Sequence, residues 1–128
     1  MQSLISQQKW NDAFAEALDT ADLSNVMFVC SAAGEEPWKI IPSLSNPVVL
    51  SLMQQLSSNL ATDTSVKLNW IGAALFNLKP EDPTIQAYVP LVLKGLQEKL
   101  TSNKDAFDSS QVHTVTMMTM MISKILAS

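Results

Sequence analysis

Apolar residues recur every three or four positions along most of the chain, which is the spacing that places side chains on one face of an α-helix. Prolines and short polar side chains separate these apolar blocks from one another. No stretch shows the strict alternation of apolar and polar residues that is typical of a half-buried strand. The pattern therefore predicts an all-α chain of six to seven helices.

The ends of several helices can be placed from local signals. Asn11, Asp22 and Thr64 are predicted N-caps, because a side-chain oxygen at that position can accept a free N–H of the first turn. Gly34 is placed to end the third helix, and Pro90 predicts a kink or a split in the sixth helix because proline lacks the N–H. The predicted helices cover approximately residues 2–8, 11–20, 22–34, 46–60, 64–80, 83–101 and 109–126. The residues predicted to face inward include Tyr88 of the sixth helix and, in the second helix, Ala13, Phe14, Ala17 and Leu18.

Short connections within helix pairs and longer connections between them define the expected architecture. Antiparallel pairs stacked in order form a right-handed α-α superhelix of the armadillo/HEAT type, and a compact orthogonal bundle is the alternative. In the loop 34–46, the apolar residues Trp38, Ile40 and Ile41 are expected to pin the chain to the body of the domain. Residues 1–128 are expected to form a single helical domain excised from a larger protein.

Composition argues against several classes of function. The basic residues are eight lysines with no arginine and the net charge is −4, which disfavours RNA or DNA binding because phosphate recognition relies on bidentate arginine and clustered positive charge. Three scattered glycines cannot form the common phosphate-binding loops. One histidine and one cysteine are too few for a zinc site, so we expect no metal and no cofactor. No signal peptide and no membrane span are predicted.

Two candidate reactive residues have ordinary explanations. Cys30 falls on the apolar stripe of the third helix, where a cysteine behaves as a small core hydrophobe. His113 falls on the outward face of the last helix, and no nucleophile with an orienting carboxylate is evident beside it. We therefore expect no enzymatic activity.

The last helix also carries two methionines on its outward face. A step of 100° per residue places Met117 and Met120 with His113 and Lys124, opposite the predicted core stripe. Asp108 with a glutamine three positions later predicts a capping box at the start of this helix. Either a partner surface covers the methionines or they are scattered exposed apolar residues. A covering partner would make the domain a self-association module, that is, part of a homo-oligomer.

Two stretches carry a family resemblance. LISQQKWNDAFAEALDTADLSNVMFVC, at residues 4–30, and PVVLSLMQQLSSNLATDTSVKLNWIGAAL, at residues 47–75, resemble the C-terminal domain of the enhancer of mRNA decapping of the Varicose type. Proteins of that type are large P-body scaffolds with an N-terminal WD40 propeller. The match extends to about Leu78 and includes the helix L-S-L-x-Q-Q-L, whereas the residues after Pro83 match only in pattern. The resemblance implies an armadillo/HEAT-like, non-enzymatic domain of a cytoplasmic P-body protein that contacts decapping-complex proteins and other P-body components.

The matching stretch also contains a candidate docking surface. We hypothesise that Gln8, Lys9, Asn11 and Glu16 form part of this surface together with Trp10, whose indole is difficult to bury completely. The alternative is that Trp10 only closes the helical hairpin. Met117 and Met120 form the second candidate partner-binding surface.

Overall fold

The computed structural model describes residues 2–34 and 37–127, and within these residues the chain forms eight α-helices and no strand. The predicted number was six to seven, and the additional helix is a single turn within the predicted loop 34–46. The helices are α1 Gln2–Ser6, α2 Trp10–Asp19, α3 Leu23–Ala33, α4 Pro37–Ile40, α5 Asn46–Leu56, α6 Thr64–Asn77, α7 Val89–Ser102 and α8 Ser109–Ala127.

Successive helices pack in pairs, and the pairs stack. Helix α2 packs against α3, α5 against α6 and α7 against α8. Helix α5 also contacts α2, α3 and α7, while α6 contacts α4 and α8. The pair α5/α6 therefore lies at the centre of the stack and joins the N-terminal pair to the C-terminal pair. This arrangement is the predicted all-α superhelix of helix pairs.

The core follows the apolar stripes that the sequence predicts. In α2, the buried residues are Ala13, Phe14, Ala17 and Leu18, which are the four residues predicted to face inward. The ring of Phe14 meets the ring of Trp70 from α6, with centroids 5.3 Å apart and planes inclined at 58°. Such tilted aromatic pairs add a favourable electrostatic term to the burial of apolar area. The contact connects the first helix pair directly to the central pair.

Cys30 is part of this core. Its side chain is 1 % exposed, and burial raises the pKa of the thiol to about 12. The charged thiolate is disfavoured there because a low-dielectric environment cannot solvate it. The structure confirms the prediction that Cys30 is a core hydrophobe.

Three predicted helix-end features are present. The Asp22 carboxylate accepts a hydrogen bond from the Ser24 N–H at 2.9 Å at the start of α3, and Gly34 ends that helix with φ at +79°. At the start of α8, Asp108 Oδ1 accepts from the Gln111 N–H at 2.8 Å, and Gln111 Oε1 accepts from the Asp108 N–H at 3.0 Å. This reciprocal pair is the predicted capping box.

Two other predicted caps were wrong. Asn11 is the second residue of α2, and its Oδ1 accepts a hydrogen bond from the Ser45 backbone N–H at 2.8 Å. Thr64 is the first residue of α6, and its hydroxyl donates to the Leu60 carbonyl oxygen at 2.7 Å. In both cases the side chain bonds to a backbone group outside its own helix. The partner of Asn11 is 34 residues away along the chain and therefore cannot be identified from a local pattern.

The sixth predicted helix begins later than expected. Helix α7 starts at Val89 with Pro90 in its first turn, where the missing N–H costs no helical hydrogen bond. The preceding residues form turns around Asp82, which accepts hydrogen bonds from the Thr84 N–H at 2.9 Å and from the side-chain amide of Asn46. Tyr88 was predicted to point inward, but it lies outside the helix and is 62 % exposed.

The connection before α5 is held mainly by its isoleucines. Residues 35 and 36 lie outside the described part of this loop. Ile41 is buried and Ile40 is half-buried, as expected for side chains that pin the loop to the body. Trp38 remains 50 % exposed and contacts the body through the ring of Phe76.

The hydrogen bond between Asn11 and Ser45 leads to a stability prediction. Replacement Asn11→Ala should lower the free energy of unfolding by about 1 kcal/mol, because the Ser45 N–H loses its acceptor. Urea denaturation followed by circular dichroism measures the change. Asn69→Ala, at an exposed position of α6, controls for the difference in helix propensity and should be neutral or stabilising. Equal stability of the Asn11→Ala variant and the wild type would contradict a contribution from this hydrogen bond.

The burial of Cys30 predicts slow alkylation. Iodoacetamide at pH 8 should modify the folded chain only through transient unfolding, since both access and the thiolate population are suppressed. Mass spectrometry over time measures the rate, and addition of urea should increase it steeply. A Cys30→Ala chain that carries Ala32→Cys, at an exposed position of the same helix, provides a rapidly modified control. Rapid modification of Cys30 in the absence of urea would rule out its burial.

Candidate functional site

The turn between α1 and α2 presents two of the predicted docking residues to solvent. Gln8 adopts a positive φ of 57°, and its N–H donates to the Ile5 carbonyl oxygen at 3.0 Å. The Lys9 N–H donates to the Leu4 carbonyl oxygen at 2.9 Å, which closes the end of α1. Both side chains, Gln8 and Lys9, are exposed. The backbone of this turn is fixed by hydrogen bonds, so the two polar groups project from a defined position.

The other three predicted residues of this surface differ in their environments. Trp10 is half-buried and packs against the core, so its indole both closes the hairpin and keeps part of its surface accessible. Glu16 is exposed, on the side of α2 that faces away from the core. Asn11 turns inward and uses its Oδ1 to bind the Ser45 N–H. The accessible part of this candidate surface is therefore a rim formed by Gln8, Lys9, Glu16 and the edge of Trp10.

The second candidate surface lies on α8. Met117 is 55 % exposed and Met120 is 67 % exposed, whereas Met118 and Ile122 of the same helix are buried. Helix α8 packs on α6 and α7, while the α1–α2 turn belongs to the pair that packs on α5. The two predicted partner-binding sets are thus located on different parts of the stack, and the structure does not bring them together into one site.

Sequence reasoning missed two groups of exposed apolar residues. Trp38 of α4 and Phe76 of α6 form an edge-on aromatic pair with ring centroids 5.3 Å apart, and Phe76 is 69 % exposed. Near the start of α7, Tyr88 and Leu91 are 62 % and 71 % exposed. Phe76 and Leu91 lie off the predicted core stripes of their helices, but only the structure shows that both side chains remain more than two-thirds exposed.

The ionisable groups with shifted pKa values have structural roles. Lys67 is buried, and its ammonium donates hydrogen bonds to the Asn59 carbonyl oxygen and to the Thr62 hydroxyl. Burial lowers the pKa of Lys67, and the nearby Asp63 carboxylate partly opposes this effect. Lys67 therefore holds the connection between α5 and α6, since it satisfies two polar groups of that loop.

Asp82 has a comparable role before α7. Hydrogen bonds from the Thr84 N–H and from the side chains of Asn46 and Thr84 keep the pKa of this carboxyl below its ordinary value.

Among residues 2–34 and 37–127, no group of three His, Cys, Asp or Glu side chains is arranged to hold a metal ion. Within the same residues, none of the helices has the length and apolar character needed to cross a bilayer.

The chain matches known proteins over most of its length. Residues 1–121 match the sequence profile of the family described as Enhancer of mRNA-decapping protein 4, C-terminal. The Enhancer of mRNA-decapping protein 4 of Danio rerio is 37 % identical over 103 residues, and that of Homo sapiens is 37 % identical over 101 residues. Each alignment covers 76 % of this chain and 7 % of the relative, so the chain corresponds to a small part of these proteins.

A solved structure shares the fold. The crystal structure of the conserved C-terminal region of Ge-1 superposes with a TM-score of 0.84 at 26 % sequence identity, and the match covers 95 % of this chain and 92 % of that one. The family profile and the superposition therefore support the same family assignment. The chain belongs to the family of the C-terminal region of Enhancer of mRNA-decapping protein 4.

Proposed function

We propose that the chain is a non-catalytic protein-interaction domain of an mRNA-decapping scaffold, which contacts decapping-complex proteins and directs the scaffold to cytoplasmic P-bodies. The observation that carries this proposal is the family match over residues 1–121. The fold is compatible with such a role, because stacked helix pairs expose extended surfaces that suit the binding of other proteins. The shifted ionisable groups support the non-catalytic part, since Cys30, Lys67 and Asp82 all stabilise the fold.

The rim at the α1–α2 turn is the surface that we propose for docking. An interface of this kind commonly combines an aromatic anchor with polar residues around it. Trp10 provides the aromatic edge, while Gln8, Lys9 and Glu16 provide accessible polar groups. The rim carries both signs of charge, which can orient a partner as well as hold it.

Substitution of the rim tests the targeting role. The double variant Lys9→Ala/Trp10→Ala of the tagged full-length scaffold should lose its P-body localisation, because the anchor and its neighbouring charge are both removed. Fluorescence microscopy against a decapping-enzyme marker measures localisation. Since Trp10 also packs against the core, thermal melting of the purified double variant must show a folded domain.

A variant that changes only the charge of the rim distinguishes loss of docking from loss of folding. Lys9→Glu reverses the charge of one exposed side chain, so it should retain wild-type stability and lose capture of decapping-complex subunits in a pull-down. Lys104→Glu, at an exposed position beyond α7, is the matched control and should retain capture. If the folded rim variants still localise to P-bodies and still capture these subunits, the rim is not the docking surface.

Self-association is the second candidate function, and the spacing along α8 favours it. The residues His113, Met117, Met120 and Lys124 are separated by four, three and four positions, which is the a/d spacing of a coiled-coil seam. The order of these spacings is the same from either end of the helix. In an antiparallel pair of α8 helices, Met117 would face Met120 of a second copy, and the contact would be self-complementary under a two-fold axis.

This second candidate predicts a weak, concentration-dependent dimer. Replacement Met120→Glu should shift the population to monomer, because a carboxylate at the centre of the seam would be desolvated without a partner. Sedimentation equilibrium over a range of concentrations measures the distribution. Thr114→Glu, at an exposed position on another side of α8, introduces the same charge and should leave the dimer intact. A wild-type chain that remains monomeric at every concentration excludes self-association through α8.

A further inference from the structure

An open groove runs between α5 and α7. It consists of two depressions, with volumes of about 320 and 250 Å³, which share Gln54, Leu91 and Val92 in their walls and are therefore continuous. On the α5 side the walls extend from Pro47 to Ser58, a distance of about 16 Å along a helix axis. This length corresponds to about three helical turns.

The α7 wall of the groove is mainly apolar and has a notch. Tyr88, Leu91 and Gly95 succeed one another at intervals of three and four residues, so they lie along one side of the segment that enters and forms α7. Tyr88 and Leu91 are 62 % and 71 % exposed, so large and accessible apolar side chains border the groove. Gly95 leaves a gap in the wall one turn further along.

Within the described residues, neither packing nor backbone angle requires glycine at position 95. A Cβ atom built there would meet no described atom within 4 Å beyond its chain neighbours and the nearby α7 backbone, and Gly95 has no positive φ. Glycine in the interior of a helix is unfavourable relative to alanine, because it loses more backbone freedom on folding. The free space at Gly95 instead permits a side chain of another molecule to approach the α7 backbone closely.

The described walls of the groove carry positive charge at one end. Among the described residues that line the two depressions, Lys99 carries the single charge, one turn beyond Gly95 at the Ser58 end of the groove. None of the described lining residues carries a carboxylate, although the whole chain has a net charge of −4. A complementary ligand would therefore carry an apolar face and a carboxylate at one end.

The groove walls favour a helical ligand. Both walls are formed mainly by helices, whose backbone N–H and C=O groups are already paired within each helix. An extended peptide would find few backbone partners there, whereas a helix satisfies its own backbone and needs only side-chain contacts. The hydroxyl of Ser57 donates to the Gln54 carbonyl oxygen, so this side chain too is engaged within its own helix.

We propose that the α5/α7 groove binds an amphipathic helical segment of a partner protein, which seats a bulky apolar side chain over Gly95 and places a carboxylate against Lys99. The segment spans about three turns, and its apolar residues occupy positions i, i+3 or i+4, and i+7. This site lies apart from the α1–α2 rim and from the α8 seam, so it holds whether or not either of those surfaces binds a partner.

Selection from a random peptide display library tests the pattern of the ligand. The intact 128-residue chain is the bait, and the Gly95→Leu variant is used for counter-selection. The selected peptides should share the i, i+3 or i+4, i+7 apolar spacing with an Asp or Glu near one end. Enrichment of proline-rich peptides, or of no peptide at all, would overturn the proposal.

Fluorescence anisotropy with the strongest selected peptide, labelled with fluorescein, tests the contacts. Gly95→Leu should weaken binding at least tenfold because the side chain fills the notch, and Gly95→Ala should weaken it less. Lys99→Glu should also weaken binding, and a peptide in which the acidic residue is replaced by lysine should recover affinity for that variant. Lys94→Glu, on the same helix but outside the groove wall, is the matched control and should bind normally.

Three results would contradict the proposal. Unchanged binding to the folded Gly95→Leu variant would exclude the notch as the contact. Failure of the charge exchange between Lys99→Glu and the lysine peptide would exclude the ion pair. A wild-type dimer in light scattering that Gly95→Leu disrupts would show that a second copy of the chain, and not a partner helix, occupies the groove. Thermal melting of each variant establishes that the domain is folded.

Discussion

The contact between Phe14 and Trp70 is the interaction on which the arrangement of the helix pairs depends. Phe14 is fully buried and Trp70 is 1 % exposed, although the two residues belong to different helix pairs. Each ring removes a large apolar area from water, and burial of a side chain of this size is worth several kcal/mol. Helix α5 contacts both α2 and α6, the helices that carry these rings. Loss of either ring would therefore disturb the packing of the N-terminal pair on the central pair.

The central and the outer parts of the stack are constrained to different degrees. The central helices are constrained by packing on several sides, whereas the α1–α2 turn, the outer face of α8 and the groove beside α7 are constrained mainly on one side. These three surfaces belong to different elements. The partner contacts proposed for these surfaces therefore require no change in the core.

Most of the fold was predictable from the sequence because it depends on periodicity and on local capping. The stripe of α2, the carboxylate of Asp22 and the capping box at Asp108 were all identified, since each involves residues within a few positions of one another. Asn11 was assigned wrongly because its partner, Ser45, is 34 residues away. Tyr88 was assigned wrongly because the tertiary hydrogen bond from Asn46 to Asp82 stabilises turns where the pattern indicated a helix. The residues proposed for docking were predictable only as polar or off-stripe positions, and their accessibility depends on how the pairs stack.

Two neighbouring residues at the start of α5 link the three helix pairs. The Ser45 N–H donates to Asn11 in α2, and the side-chain amide of Asn46 donates to Asp82 in the turns before α7. In many repeat proteins each unit contacts only its neighbours, and the ends of the array can unfold while the middle remains folded. Here both neighbouring units bond to a single helix start, so separation of either outer pair breaks a hydrogen bond at the same place. The consequence is coupling: a disturbance at the start of α5 should weaken the attachment of both outer pairs together.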